Sequence, residues 1–336
     1  MLNDFLRRSV SAVIAILGIC GAWQASAQSA SPSPSGEASW PVRPVRFLVP
    51  FPAGGAADVF ARSTGQPLAE RWKQPVVVEN RPGAGGRIAT QAAVAAAPDG
   101  YTMLVVTVGH AVNPALYPSL PYDTLRDLQP VAMLASVPSM LVVNPGVPAR
   151  TVAELVALAR AQPGRISYAS SGNATTSHVA GAMLAAAAGV EMLHVPYKGS
   201  APALTDLMSG QVNFMIDPIA TAEPHMRSGK LVGLAVSSAT RSPLAPDLPT
   251  MAESGAPGYD FSAWFLLLAP AGVPVALVER VNRDVAMIMR DEAFARGYAA
   301  RGAQPGSGTP DELRVFLERE VKRYAQLVAA TGMKPD

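Results

Sequence analysis

An α/β fold built on parallel sheet is what this sequence predicts, and three observations predict it. Short apolar runs at 46–49 and 76–79 each pass through a glycine-rich loop into an Ala-rich helical stretch, and a third run follows at 101–106. Strand-loop-helix units of that length, repeated, place helices on a parallel sheet. The pattern returns at 166–169 and 212–216. Three of the helices also open from one kind of loop, made of Gly, Ser, Thr, Ala and Asn. A strand end, a tight small-residue turn and a helix N-terminus together form an anion site, because free amides point outward and the helix dipole adds partial positive charge.

With 336 residues and 49% hydrophobic side chains, the chain has length for two domains and apolar content for real cores. A net charge of +2, with no basic cluster interleaved with aromatics, argues against a nucleic-acid partner. Arg7 and Arg8, the apolar run 10–19 and the Ala25-Ser26-Ala27 site read as a secretory signal peptide cleaved after Ala27. That run is too short to span a membrane. A lipoprotein box at 17–20 is disfavoured by bulky Ile19 before Cys20, and the residues around Arg7 and Arg8 fit twin-arginine export poorly. Cleavage removes the single cysteine, so disulfide and thiol chemistry are not expected, and the location expected is the periplasm.

Residues 28–41, rich in Ser and Pro, read as a flexible tether. The strand at 46–49 runs into Pro50-Phe51-Pro52-Ala53-Gly54-Gly55, where the prolines end ladder hydrogen bonding and the glycines permit a tight turn; a helix over 57–72 follows. The second strand meets the loop 80–86 and a helix over 87–97. After the turn 98–100 and the strand 101–106, a loop at 107–114 carries His110 and Asn113. The stretch 131–143 is a crossing strand between domains. Thr151 with Glu154 forms a capping box. The strand 166–169 leads to the small-polar loop 170–176 and a helix over 177–188 that Gly189 closes. Residues 194–200 lead into a helix ending at 209–210, and the strand 212–216 delivers Asp217 at its carboxyl end, where open α/β sheets bind ligands. A strand at 231–236, a Pro-rich loop to 259, a returning strand at 261–268, helical spacing over 275–300 and a capped helix opening at Thr309 complete the chain.

Several chemistries are unsupported. Gly83, Gly85 and Gly86 do not make G-x-G-x-x-G, Gly229-Lys230 is not part of a P-loop, and no G-x-S-x-G elbow occurs. The four histidines lack metal spacing. No cofactor and no metal are expected, and no catalytic residue is assigned.

The segments PFPAGGAAD (50–58), VVVENRPGAGG (76–86), NPALYPSLPYD (113–123), HVPYKGSAPALTDLMSGQVNFMID (194–217), GKLVGLAV (229–236) and LPTMAESGAPGYDFSAW (248–264) resemble the periplasmic solute-binding proteins of tripartite tricarboxylate transporters, often called the Bug family. The resemblance covers essentially the whole mature chain. It implies a type II periplasmic-binding-protein fold, two α/β domains joined by two crossing strands with a ligand cleft between them, here 42–138 plus 265–336 and 139–264. It implies capture of a small carboxylated metabolite (a di- or tricarboxylate, an amino-acid-like acid or an aromatic carboxylate), as a monomer, for membrane permease subunits encoded elsewhere. It assigns ligand contact to Phe51, Ala53, Gly54, Gly55, Asp58, Gly85 and Gly86 in the first domain. In the second it assigns Ser171, Gly172, Asn173, Thr175, Thr176 and His178, with Asp217 facing the cleft; His110, Ala174 and Tyr197 complete the candidate ligand-binding set. The sequence departs from the family pattern at Ala174, where glycine is common, at Leu266 and Val273, and in the His110 segment, which leaves the ligand open.

Alternatives stand beside some of these roles. Asp58 reads equally as a cap for its own helix. Asp217 would repel a carboxylate, so it calls for an ammonium, a hydroxyl or water. Tyr197 and Lys198 line the cleft or lie at the surface, and Trp72 and Trp264 read as packing residues. At the level of the whole protein, a periplasmic sensing component and an exported α/β enzyme using a pair such as His178 and Asp217 are the rival readings.

Overall fold

The computed structural model describes residues 40–334; the expected leader and nearly all of the tether lie outside the described residues. β1 (Val45–Val49) is followed by α1 (Ala56–Trp72), β2 (Val76–Asn80), a single 3₁₀ turn (Ala84–Gly86), α2 (Arg87–Val94), β3 (Thr102–Val106) and α3 (Val108–Leu116). β1 lies between β2 and β3 and pairs with both in parallel. β4 (Leu128–Val143) precedes α4 (Val152–Ala161), β5 (Ser167–Ser170), α5 (Thr176–Ala188), β6 (Leu193–Pro196), α6 (Ser200–Ser209), β7 (Phe214–Pro218), α7 (Ile219–Arg227) and β8 (Val232–Val236). β9 (Ser262–Pro270), α8 (Val275–Met289), α9 (Glu292–Ala299), β10 (Gln304–Pro305) and α10 (Pro310–Thr331) close the described chain.

The sheet order is β2-β1-β3-β9-β4-β7-β5-β6, with β8 and β10 also paired to β4. β4 is long enough to serve two partners in turn. Its first part runs against β9 as far as Pro138 opposite Ser262; its last part, from Ser139, runs against β7. The register sets the direction of everything else. β9 is antiparallel to both β3 and β4, so β4 runs with β1, β2 and β3. β7 is antiparallel to β4 and parallel to β5, which is parallel to β6. The carboxyl ends of β1–β3 and those of β5–β7 therefore point toward each other across the middle of β4.

Where the sequence reading and the structure differ, local chemistry explains the difference. The expected loop at 107–114 is helix α3: Val108, Ala111, Val112 and Leu116 form a buried apolar face, and Pro114 sits inside the helix near its end. α7, with Pro224 inside it, has no counterpart among the expected elements. The helical spacing over 275–300 divides in two because the Asp291 side chain accepts from Phe294 N–H and starts a new helix. The helix expected to 97 ends at Val94, and Asp217 lies within β7 rather than beyond it. Trp72 and Trp264 are packing residues, their indole N–H groups donating to buried Asp284 and Glu320.

Candidate functional site

Among the described residues, helix N-termini differ in their caps, and α8, which follows Pro274, has no side-chain cap. Those of α4, α9 and α10 are capped by the side chains of Thr151, Asp291 and Thr309. Those that open from the converging strand ends, α1, α2, α3, α5, α6 and α7, carry no side-chain cap. The first-turn amides of a helix have no acceptor within it, so these six starts lack the N-cap acceptor that α4, α9 and α10 possess, although the loop amides of Gly54, Ser171, Gly172 and Ala174 are already taken by neighbouring side chains.

On the first side, the loop between β1 and α1 is held from behind. Asp58, in the first turn of α1 and buried, accepts from Gly54 N–H at 3.0 Å, from Asn80 Nδ2 at 2.9 Å and from Arg62. The Arg62 guanidinium beside Asp58 holds its carboxyl down at about 2. Asn80, the last residue of β2, also donates to the Phe51 carbonyl at 3.0 Å. The Asp58 carboxylate thus shapes the loop, and Ala53, Gly54 and Gly55 stand exposed on it, with Phe51 half-buried. Gly85 and Gly86 adopt left-handed backbone (φ 62° and 87°), and a Cβ at Gly86 would press on Pro50 at 3.2 Å. Asn113 Nδ2 donates to the Gly85 carbonyl at 3.0 Å. His110 turns inward: it is buried, stacks parallel to Tyr122 with centroids 6.4 Å apart, and burial pushes its pKa down to about 4.

On the second side, the loop between β5 and α5 is a dense hydrogen-bonded turn. Ser177 Oγ accepts from Ser171 N–H at 2.9 Å, and Thr175 Oγ1 donates to the Gly172 carbonyl at 2.7 Å. Ser170 Oγ donates to that same carbonyl and accepts from Gly172 N–H. Ala174 holds a left-handed φ of 57°, uncommon for a residue with a Cβ, and its N–H donates to His178 Nδ1 at 3.1 Å. That bond leaves the proton of the neutral ring on Nε2. His178 stacks on His194 with centroids 3.7 Å apart and planes within 9°, and His194 Nε2 meets the Ser170 hydroxyl at 2.6 Å. Burial holds both rings neutral, His178 down at about 3 and His194 at about 4, and the closeness of the His194 ring, which opposes a second positive charge beside it, is the lesser cause for His178. Asn173, Thr175 and Thr176 are partly exposed on the same turn.

Asp217 is fully buried. Its carboxylate accepts from Ser200 Oγ at 2.9 Å, at the start of α6, and from Thr221 Oγ1 in α7. Burial pushes its pKa up to about 6. Of the ammonium, hydroxyl or water that the sequence reading calls for, the protein itself supplies hydroxyls, so Asp217 ties two helix starts to the end of β7. Tyr197 donates its hydroxyl to Asp206 at 2.8 Å. A surface cavity of about 490 Å³ is bounded by Pro114, Tyr117, Tyr122 and Arg126; none of the expected contact residues lines it. The residues that sequence reasoning missed are supports: Asn80, Arg62, Asn113, Ser177 and His194. Asn80 was visible inside the VVVENRPGAGG segment, but its role depends on β2 lying beside β1.

Among the described residues no helix is long and apolar enough to cross a membrane, and no group of three or more His, Cys, Asp or Glu could hold a metal ion. The fold is that of an α/β periplasmic binding protein, with small-residue loops at opposed strand ends. Residues 60–333 match the family described as the tripartite tricarboxylate transporter family receptor, and the chain belongs to it. It is 38% identical over 321 residues to protein BugT of Bordetella pertussis, covering 95% of this chain and 98% of that one. An R. palustris protein solved with adipate superposes at a TM-score of 0.79 with 36% identity, covering 88% of this chain and all of that one. MatC from Rhodopseudomonas palustris with bound malate superposes at 0.75 with 32% identity, covering 86% and 100%. The family is one of solute-binding receptors.

Proposed function

We propose that this protein captures a small dicarboxylate between two lobes, 42–138 plus 265–336 and 139–264, and presents it to the permease subunits of a tripartite transporter. The observation that carries the reading is the distribution of helix caps: side chains cap α4, α9 and α10, three of the four helices elsewhere (α8, after Pro274, has none), whereas all six helices opening at the facing strand ends are uncapped. An uncapped, glycine-rich helix start favours an anion through its amides and dipole. Such starts on both sides of one cleft suit a ligand with a carboxylate at each end. Adipate and malate, bound by the two related structures, are of that kind.

The first-side contacts are Phe51, Ala53, Gly54, Gly55, Gly85 and Gly86. Ser171, Gly172, Asn173, Thr175 and Thr176 supply the second side. Asp58, His178 and Asp217 act behind them, holding the loops in shape. The protein performs no chemistry on its ligand. It is exported, cleaved after Ala27, and works as a monomer in the periplasm. Thermal unfolding with adipate and malate tests this: a ligand at a hundredfold excess over its Kd stabilises by about 2.7 kcal/mol, which raises the melting temperature. An unchanged melting temperature across a panel of di- and tricarboxylates overturns the reading.

A further inference from the structure

Gly109 is the second residue of α3, in the uncapped first turn of that helix. A Cβ at this position would stand 3.4 Å from the Ala174 carbonyl oxygen, which belongs to the loop on the opposite side. Among the described residues, no other glycine at the converging strand ends would bring a Cβ this close to backbone of the opposite side. The partner of Gly109 is unusually fixed. Ala174 is buried, held at a left-handed φ of 57°, and its N–H is tied to His178 Nδ1 at 3.1 Å. His178 in turn leans on His194, whose Nε2 meets Ser170 at 2.6 Å. The left-handed conformation at Ala174 sets the carbonyl that follows relative to the amide held by His178, and that carbonyl oxygen, with its partial negative charge, lies near the partially positive start of α3.

We infer that Gly109 and Ala174 form the closing contact of the cleft, a carbonyl-on-helix seat that sets how far the two sides approach, with His178 and His194 as positioning residues behind it. The start of α3 is occupied by protein in the closed form, which leaves anion capture to the other helix starts. This rests on the two-lobed binding reading. It adds that a residue outside the ligand-contact set limits closure, because a larger side chain at 109 meets a carbonyl that cannot retreat.

The test reads closure directly. With Cys20→Ser as background, spin labels are placed through Val77→Cys and Leu193→Cys. These sites are 46% and 54% exposed and lie on the two outermost strands of the sheet order, β2 and β6. Interlabel distances are measured without ligand and with saturating adipate or malate. The expected result is a short-distance population that Gly109→Ala preserves and that Gly109→Val reduces about fivefold or more, the effect of overpacking a fixed contact. Gly109→Leu is the second variant, and circular dichroism verifies that each folds. An unchanged short-distance population in both bulky variants overturns the inference, as does a wild-type distribution with no short population under any condition. If adipate and malate fail to bind while the variants still shift the distances, the dicarboxylate reading fails and the closing contact stands.

Discussion

Acid should weaken this fold through its buried histidines, and His178→Gln isolates the effect. Burial holds His178 neutral down to about 3, against an ordinary value of about 6.5 in an unfolded chain. A base whose folded pKa is depressed costs nothing at alkaline pH, where both states are neutral. As pH falls through 6.5 the unfolded state takes up a proton that the native state refuses, and stability drops until the folded pKa is reached. From about pH 7.5 to about pH 5 that linkage removes about 2 kcal/mol for a histidine so placed. His194, held at about 4 by burial, adds a loss of similar size. Protonation of His178 at Nδ1 would also set a donor against the Ala174 N–H that this atom now accepts, so the same titration disturbs the second-side loop. Glutamine keeps an acceptor oxygen and cannot charge. Urea unfolding at the two pH values should show His178→Gln losing about 2 kcal/mol less than wild type on acidification. Equal losses in the two proteins would refute the argument that this ring is buried uncharged.

Asp217 carries the opposite sign. Its folded pKa is raised to about 6 by burial, so the stability linked to its proton is present at low pH and lost as pH rises through 6; Asp217→Asn should gain about 1.5 kcal/mol on wild type between about pH 5 and 7.5, measured by the same unfolding. Asp58→Ala strands Gly54 N–H, Asn80 Nδ2 and the Arg62 guanidinium and should cost about 2–4 kcal/mol, with faster amide exchange at 51–55; a loss below about 0.5 kcal/mol would show that the loop holds itself. Gly86→Ala must place a Cβ 3.2 Å from Pro50 at φ 87°. It should destabilise by about 1–2 kcal/mol and weaken adipate or malate binding, and unchanged calorimetry would count against a role for that turn.

The sequence alone determined the class of fold and the small-residue loops at which most of its βα units turn. Apolar strands ending in Pro50-Phe51-Pro52 or Asn80, followed by small residues and then helix formers, are local signals, and the βα units stand where those signals put them. The cap at Thr151, and that at Thr309 with Glu312, were legible for the same reason, since partners three residues apart meet in any helix start. Tertiary structure decided which way the side chains behind the loops face. Asp58 and Asp217 look in sequence like groups offered to a ligand. One is consumed by Arg62 and Asn80, the other by Ser200 and Thr221, and those partners come near only through helix geometry and strand pairing. His110 left its expected loop because α3 buries one apolar face, carrying the ring inward with it. The stacked pair of His178 and His194 joins α5 to β6, and the meeting of Gly109 with Ala174 brings together residues 65 positions apart. No local pattern encodes such contacts, because they follow from the antiparallel pairing of β9 with the first part of β4 and of β7 with its last part, which makes two sets of strand ends face one another.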